Sequence, residues 1–526
     1  MNWQDHLPAL LLAVPLFGAF LAPLTTLGGK GLRNTWFILV SAVFTLVAFL
    51  LWVRVGATGP AIYVMGGQGW NFALPSGLSI PVRILMEVDA FSAFMVLLSA
   101  VAALAGAIFS VNYMERFSGL EKFVALYFLM VTGMFGMEIT GDFFNFFVFL
   151  EISSVASFGL VAFWRDRGEA LEAAFKYMLV STLGAMMVLV AVAFLYSRYN
   201  VVNMAALGKV IEWGMVEKTA LVLFLTALAM KCGAVPMHMW MPDAYAEAPA
   251  GVTCALIAVS QASLYGLFRV CFTIYGSFMG SPIIPWVIIV LGVLSMFIGV
   301  SMAVIQKEVG RLIAYHSVSQ VGYMLLGFGV GLLALSDARA MADYGFTALK
   351  GGVFHIVNYT MYKGLLFLAA GALYYATGSR NLNEMGGLAR QLPKTMILFM
   401  IAAAAIAGLP PFNGFVSKLL IYESSFAVHP ILAVFAMITS VLTLASFVKI
   451  FQTAFLGPEL KKFKDVREVP GSMLAGMTVL ACAILVLSLF PTWSLNHLVE
   501  PAAKALVDQA SYIGAVFATA ATGGGL

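Results

Sequence analysis

A series of apolar runs long enough to cross a lipid bilayer, several of them interrupted by a single charge, limits this chain to very few kinds of fold. TWFILVSAVFTLVAFLLWV, FSAFMVLLSAVAALAGAIF and PIIPWVIIVLGVLSMFIGVSMAVI reach or exceed the roughly 18 residues that span the hydrocarbon layer as helix. Backbone polar groups facing lipid must be satisfied inside their own segment, so these runs are helices and not open strands. Of the 526 residues, 62 % are hydrophobic and 10 % charged, far from the about 25 % charged of a soluble domain. The implied class is an all-α polytopic membrane protein with about 14 transmembrane helices. Their expected spans are 8–24, 35–55, 90–112, 121–139, 142–163, 171–196, 219–236, 250–277, 284–305, 310–333, 345–376, 393–427, 431–457 and 473–491. The first run lacks a basic flank and a small-residue cleavage site and reads as a retained helix. Residues 57–88, rich in Gly and Pro, read as an extramembrane loop, and 200–213 as a short interfacial helix; the pattern over 500–522 is too weak to assign.

Lys and Arg concentrate in alternate connections. Lys30, Arg33, Arg116, Lys122, Arg165, Arg167, Lys307, Arg311, Arg380, Arg390, Lys394, Lys461, Lys462, Lys464 and Arg467 fall on one side; fewer, namely Arg54, Arg83, Arg198, Lys209, Lys218, Arg339 and Lys504, fall on the other. The positive-inside bias turns the first set to the cytoplasm of a cell inner (cytoplasmic) membrane and puts both termini outside. The four cysteines have neither metal nor disulfide spacing, and no basic tract points to nucleic acid. No nucleotide-binding glycine loop, cysteine cluster or haem motif is present, so no cofactor or metal is expected.

Proline marks two irregular helices. AMKCGAVPMHMWMPDAYAEAPAG carries Pro236, Pro242 and Pro249, and IAGLPPFNGFVSKLL carries Pro410 and Pro411. Each proline removes an amide donor and clashes with the preceding turn; such breaks in corresponding halves point to a transport site in each. Without a clean sequence repeat, the order suggests two inverted five-helix units with broken helices 7 and 12. The expected divisions are 1–120, a first unit 121–277, a second unit 284–457, and 458–526.

The charges inside the apolar runs form a line. Glu151 sits mid-way along GDFFNFFVFLEISSVASFGLVAF, where a carboxylate costs several kcal/mol unless protonated, paired or hydrated. Lys231, just before Pro236, is its expected partner; the bland alternative is a permanent structural pair. His355, Tyr359 and Lys363 recur at spacing four and project from one helical face, and imidazole exchanges protons near neutral pH. Lys418 follows the second break and reads as the end of an internal path, with Glu423 nearer the outside opening. Gln261 and His316 stand between the clusters, where they hydrate a path or only join helices. His238 and Asp243 lie at the cytoplasmic end of the seventh helix, to admit protons or to anchor the loop. Lys176 snorkels to the interface or modulates Glu151. No catalytic residue set emerges; energy must come from a redox neighbour or an opposing ion gradient.

GDFFNFFVFLEISS, AMKCGAVPMHMWMPDAYAEAP, RLIAYHSVSQVGYMLLG, FHIVNYTMYKGLLFLAAGAL and GLPPFNGFVSKLLIYES together resemble the antiporter-like subunits shared by respiratory complex I, Mrp-type sodium/proton antiporters and membrane-bound hydrogenases. The resemblance runs from about residue 85 to 460, and the Glu151 and Lys418 stretches are similar to those of the large Mrp D subunit and its hydrogenase equivalent. It implies a fourteen-helix core with two inverted five-helix repeats, and it matches the family's glutamate to Glu151, its lysines to Lys231 and Lys418, and its histidine and lysine of the eleventh helix to His355 and Lys363. It further implies a non-catalytic subunit that moves H+, or exchanges Na+ and H+, among other membrane subunits. One departure stands out: where relatives place a lysine or histidine on the eighth helix, this chain has Gln261, which orders water but carries no proton by ordinary titration. The residues also accommodate a stand-alone secondary transporter and a non-conducting structural membrane subunit.

Overall fold

The structure is a computed structural model that describes residues 3–65, 71–73, 79–81 and 84–521. Helices α1 (Leu7–Leu21) and α2 (Gly29–Thr58) lead into strands β1 (Ala61–Val64), β2 (Asn71–Ala73), β3 (Ser79–Pro81) and β4 (Leu85–Val88). β1 pairs antiparallel with β4 and β2 with β3. The stretch expected as an extramembrane loop therefore carries two small ladders, which satisfy backbone groups that a bare loop would leave to water. Residues 66–70, 74–78 and 82–83 of that expected loop lie outside the described residues.

The bundle continues with α3 (Ala90–Tyr113), α4 (Leu120–Ile139), α5 (Phe143–Val161), α6 (Gly168–Tyr199), the short α7 (Met204–Val210), α8 (Met215–Cys232), α9 (Trp240–Glu247) and α10 (Ala250–Phe268). Then come α11 (Ile283–Ile305), α12 (Val309–Leu333), a single turn α13 (Ala338–Ala340), α14 (Phe346–Thr377), α15 (Pro393–Ala407), α16 (Asn413–Val428) and α17 (Pro430–Ile450). The chain closes with α18 (Gly471–Leu489), α19 (Pro491–Ser494), α20 (Glu500–Val507) and α21 (Gln509–Ala521). Residues 500–522, left unassigned from sequence, are thus helical up to Ala521. Among the described residues, ten helical stretches are long and apolar enough to cross a bilayer, and the chain is a multi-pass membrane protein.

Capping and small residues set how these helices start and approach. The Asp89 carboxylate accepts from the Ser92 amide and Asp142 from the Asn145 amide at 2.8 Å, satisfying orphan donors at the starts of α3 and α5. α11 and α12 meet where a side chain on Gly322 would come within 2.5 Å of the Gly292 carbonyl. Only glycine lets two backbones approach that closely, which is how packing is gained where lipid supplies no hydrophobic drive.

Candidate functional site

The first cluster is assembled by α5, α6 and α8. Lys231, buried in the last turn of α8, donates to the hydroxyls of Ser154 on α5 at 2.7 Å and Ser181 on α6 at 2.6 Å, and Ser181 donates to Ser154 at 3.1 Å. Glu151 lies one turn before Ser154 on α5 and is half-buried; its Oε1 is buried without a hydrogen-bond partner. Glu151 and Lys231 are within electrostatic reach of each other but do not form the direct pair expected from sequence. Sequence inspection passes over Ser154 and Ser181 because serine in a membrane helix is common and usually bonds its own backbone.

The chain leaves helical geometry after both α8 and α15, and the two exits match. Gly233 (φ +79°) and Gly408 (φ +77°) adopt the left-handed conformation that glycine takes at no steric cost. The Gly233 amide bonds the Met230 carbonyl and the next amide bonds Ala229; at the second exit Gly408 bonds Ala405 and Leu409 bonds Ala404. Cis peptides follow at Val235–Pro236 and Pro410–Pro411. The Lys418 ammonium, from α16, donates to the carbonyl of Ile406 at 2.8 Å, two residues before Gly408, and to the Ser440 hydroxyl at 2.9 Å. Lys231 sits two residues before Gly233. Both exits therefore hold a lysine ammonium, delivered from opposite sides of the break.

The second cluster joins α12, α14 and α16. His355 Nδ1 lies 3.1 Å from the Ser417 hydroxyl, beside Lys418, and its Nε2 lies 3.2 Å from Gln320 Oε1. Tyr362 completes the group, 3.3 Å from Nε2 and donating to Gln320 at 3.0 Å. Asn358 and Asn413 brace it: Asn413 donates to Asn358 at 2.7 Å and Asn358 to Ser417 at 2.9 Å. The three residues of the expected His355, Tyr359 and Lys363 face thus have different surroundings. Lys363, wholly buried, donates to the Ile313 carbonyl on α12, and the Tyr359 hydroxyl has no hydrogen-bond partner. His316 and Gln261 are buried with every side-chain polar atom unpartnered. Glu423 is exposed on α16.

A charged vestibule of about 640 Å³ opens between α6, α9, α12 and the end of α14. Asp243 on α9 bridges Lys176 at 3.0 Å and Arg311 at 2.6 Å, and Lys176 also meets Glu172 at 2.6 Å. Glu247 bridges Arg167 at 3.1 Å and Arg380 at 2.9 Å. Asp243 and Lys176 are therefore placed in this web and not beside Glu151. His238, buried between α8 and α9, has an unpartnered Nδ1.

A further buried group occupies the opposite end of the bundle. Arg269 forms an ion pair with Asp89 and donates to the Tyr265 hydroxyl at 3.0 Å, while Tyr512 of α21 lies under its guanidinium at 4.7 Å. Glu87 is wholly buried with both carboxyl oxygens unpartnered, and buried Glu138 accepts from Ser99 at 2.7 Å. A signal for it exists: Glu138 is a lone acid in an apolar run, as Glu151 is, but its place at the end of the expected helix hides it.

Comparison with known proteins gives a consistent set of likenesses. Residues 140–443 match the model of the family described as NADH:quinone oxidoreductase/Mrp antiporter, TM. NADH-quinone oxidoreductase subunit N of Desulforudis audaxviator is 31 % identical over 94 % of this chain and 98 % of its own length. The Na(+)/H(+) antiporter D subunit of Alkalihalophilus pseudofirmus is 30 % identical over 84 % of this chain and 85 % of its own. Among solved structures, a chain of the Mrp complex from Dietzia sp. DQ12-45-1b superposes with a TM-score of 0.85 at 28 % identity, covering 98 % of this chain and 100 % of that one.

Proposed function

The chain belongs to the NADH:quinone oxidoreductase/Mrp antiporter transmembrane family, and from that premise we propose that it works as the proton-conducting member of a larger assembly. It is an ion-translocating subunit of a multisubunit membrane complex, with buried charged residues in an internal chain. The observation that carries the mechanism is the company its buried lysines keep. Lys231, Lys363 and Lys418 donate to hydroxyls and backbone carbonyls. A structural pair would set a carboxylate against each ammonium and lock its charge. A serine hydroxyl serves both forms, accepting from an ammonium and donating to a neutral amine. The Lys231 and Lys418 sites, which have such hydroxyls, therefore tolerate loss and gain of a proton without repacking, whereas Lys363 rests on the Ile313 carbonyl.

The ion on this line is H+. A sodium ion needs a shell of oxygen ligands and is repelled by a neighbouring ammonium, so Na+ exchange would fall to other parts of the assembly. The charge of Glu151 sets the state of Lys231, whose amine the Ser154 and Ser181 hydroxyls hold, and His355, bonded to Ser417, sits near Lys418 for transfer onward. A redox partner or an opposing gradient supplies the energy.

In this reading the bundle has fourteen spanning helices in two inverted five-helix repeats. α8 with α9 and α15 with α16 are the interrupted helices of those repeats, and the matched hydrogen bonding at Gly233 and Gly408 supports it. Lys307, Arg311 and Arg380 face the cytoplasm, with both termini outside an inner membrane. The test is proton transport by the intact complex in proteoliposomes. Glu151→Gln and Lys231→Ala should each abolish it while the complex still assembles. Full transport in both would overturn the proposal.

A further inference from the structure

The transfer between the two halves lacks a titratable carrier at Gln261, and the surrounding hydroxyls suggest how it is replaced. Resting on the transport reading above, we propose that protons cross between the halves on the hydroxyls of Tyr245, Ser260 and Tyr359, with Gln261 outside the carrying chain. Three observations place these groups in series. The Tyr245 hydroxyl on α9 donates to the Ser260 hydroxyl on α10 at 2.9 Å, joining the segment beyond the first break to the helix that follows it. The Tyr359 hydroxyl on α14 lies within interaction range of Ser317 of α12 and of Ser260, and it is buried without a hydrogen bond of ordinary geometry. Ser317 precedes Ser319 and Gln320 on α12 and follows His316, whose two ring nitrogens are unpartnered and wholly buried.

The ends of the series meet the residues already assigned. Tyr245 packs edge-on against Trp240, whose indole N–H donates at 2.9 Å to the carbonyl of Met230, the residue before Lys231. Tyr359 shares a face with Lys363 and His355, one helical turn away in either direction. All three hydroxyls are at most 2 % exposed, so bulk solvent does not compete for them. A buried tyrosine hydroxyl normally finds a partner, and one left without a partner beside two serines is suited to join them through a water.

A hydroxyl relay conserves protons at every member. A proton arriving on the Tyr245 oxygen releases that residue's own hydrogen to the Ser260 oxygen. Ser260, whose hydroxyl donates to the Ile257 carbonyl at 2.8 Å at rest, turns to pass its hydrogen to Tyr359, and Tyr359 gives up its hydrogen towards Ser317 and the His316 imidazole. Each oxygen gains one proton and loses one, no charge remains on the hydroxyls, and rotation of the three O–H bonds resets them. Gln261 offers no such exchange, because an amide does not release its proton under these conditions.

The test uses the intact complex in proteoliposomes. Tyr245→Phe and Tyr359→Phe keep the rings and remove one oxygen each; Ser260→Ala removes the third and Ser260→Thr retains it. We expect proton transport to fall on the order of tenfold or more in the first three variants and to recover in Ser260→Thr, with all four assembling. Measuring the solvent deuterium effect on the residual rate separates a lost relay, which raises it, from a packing defect, which does not. Transport near the parent rate in both phenylalanine variants would overturn the hydroxyl route, provided Lys231→Ala in the same preparation is inactive. If Lys231→Ala also transports, the parent reading has failed and the relay with it.

Discussion

Lys231, Lys363 and Lys418 are buried, and each ammonium donates to neutral oxygens. Arg269 shows the contrasting case within the same chain. It is buried against Asp89, a pairing that sets each charge directly against its opposite. Removing one member of such a pair strands the other and costs about 3–5 kcal/mol, whereas replacing both with apolar residues is often neutral. Asp89→Ala should therefore lower the unfolding temperature of the purified complex markedly, and Asp89→Leu combined with Arg269→Met should restore most of it; equal losses in single and double variants would contradict this account. The lysines are legible in the sequence because a lone cation in an apolar run has few explanations. Their serine and carbonyl partners are not, because they come from α5, α6, α12, α15 and α17, and only the packed bundle brings those helices to the lysines.

At the scale of single helices, the exits from α8 and α15 depend on backbone shape more than on side-chain chemistry. The α16 residue Gly414 packs so closely that an added Cβ would lie 1.9 Å from the Ala405 carbonyl oxygen, whereas Gly471, at the start of α18, has open space around it. Gly414→Ala should push α15 and α16 apart, lowering both thermal stability and transport; Gly471→Ala should change neither. Indistinguishable melting curves for the two variants would sink this reading of the junction. The prolines make both breaks legible from the residues alone, since proline interrupts a helix wherever it falls. The strands within 57–88 and the terminal helices α20 and α21 are hidden for different reasons. Gly and Pro dominate the first region, and the second lacks a long apolar run, so neither carries the period that marks its element.

Across the whole molecule, the vestibule web ties α9 to both halves: Asp243 reaches Lys176 of α6 and Arg311 of α12, and Glu247 reaches Arg167 and Arg380. These groups are partly solvated, so their mutual attraction is modest and screened by salt. Asp243→Asn should make the thermal stability of the complex less dependent on ionic strength while transport per assembled complex stays within about threefold of the parent, given how little exposed pairs contribute. A complete loss of transport in well-assembled Asp243→Asn would instead make that carboxylate an obligatory proton donor. The line from Glu151 to Lys418 can be read from sequence as an ordered set of charges, but its continuity cannot. In the proposed relay the central interval rests on Tyr245, Ser260 and Tyr359, which belong to three separate helices, while Gln261, the polar residue that the sequence places there, stands outside it. The decisive measurement is proton transport by intact complexes carrying Lys231→Arg or Lys418→Arg, since arginine keeps the positive charge but does not release its proton. If the buried lysines carry protons, both complexes assemble and neither transports; transport at the parent rate in either would mean that fixed charge is all those positions supply.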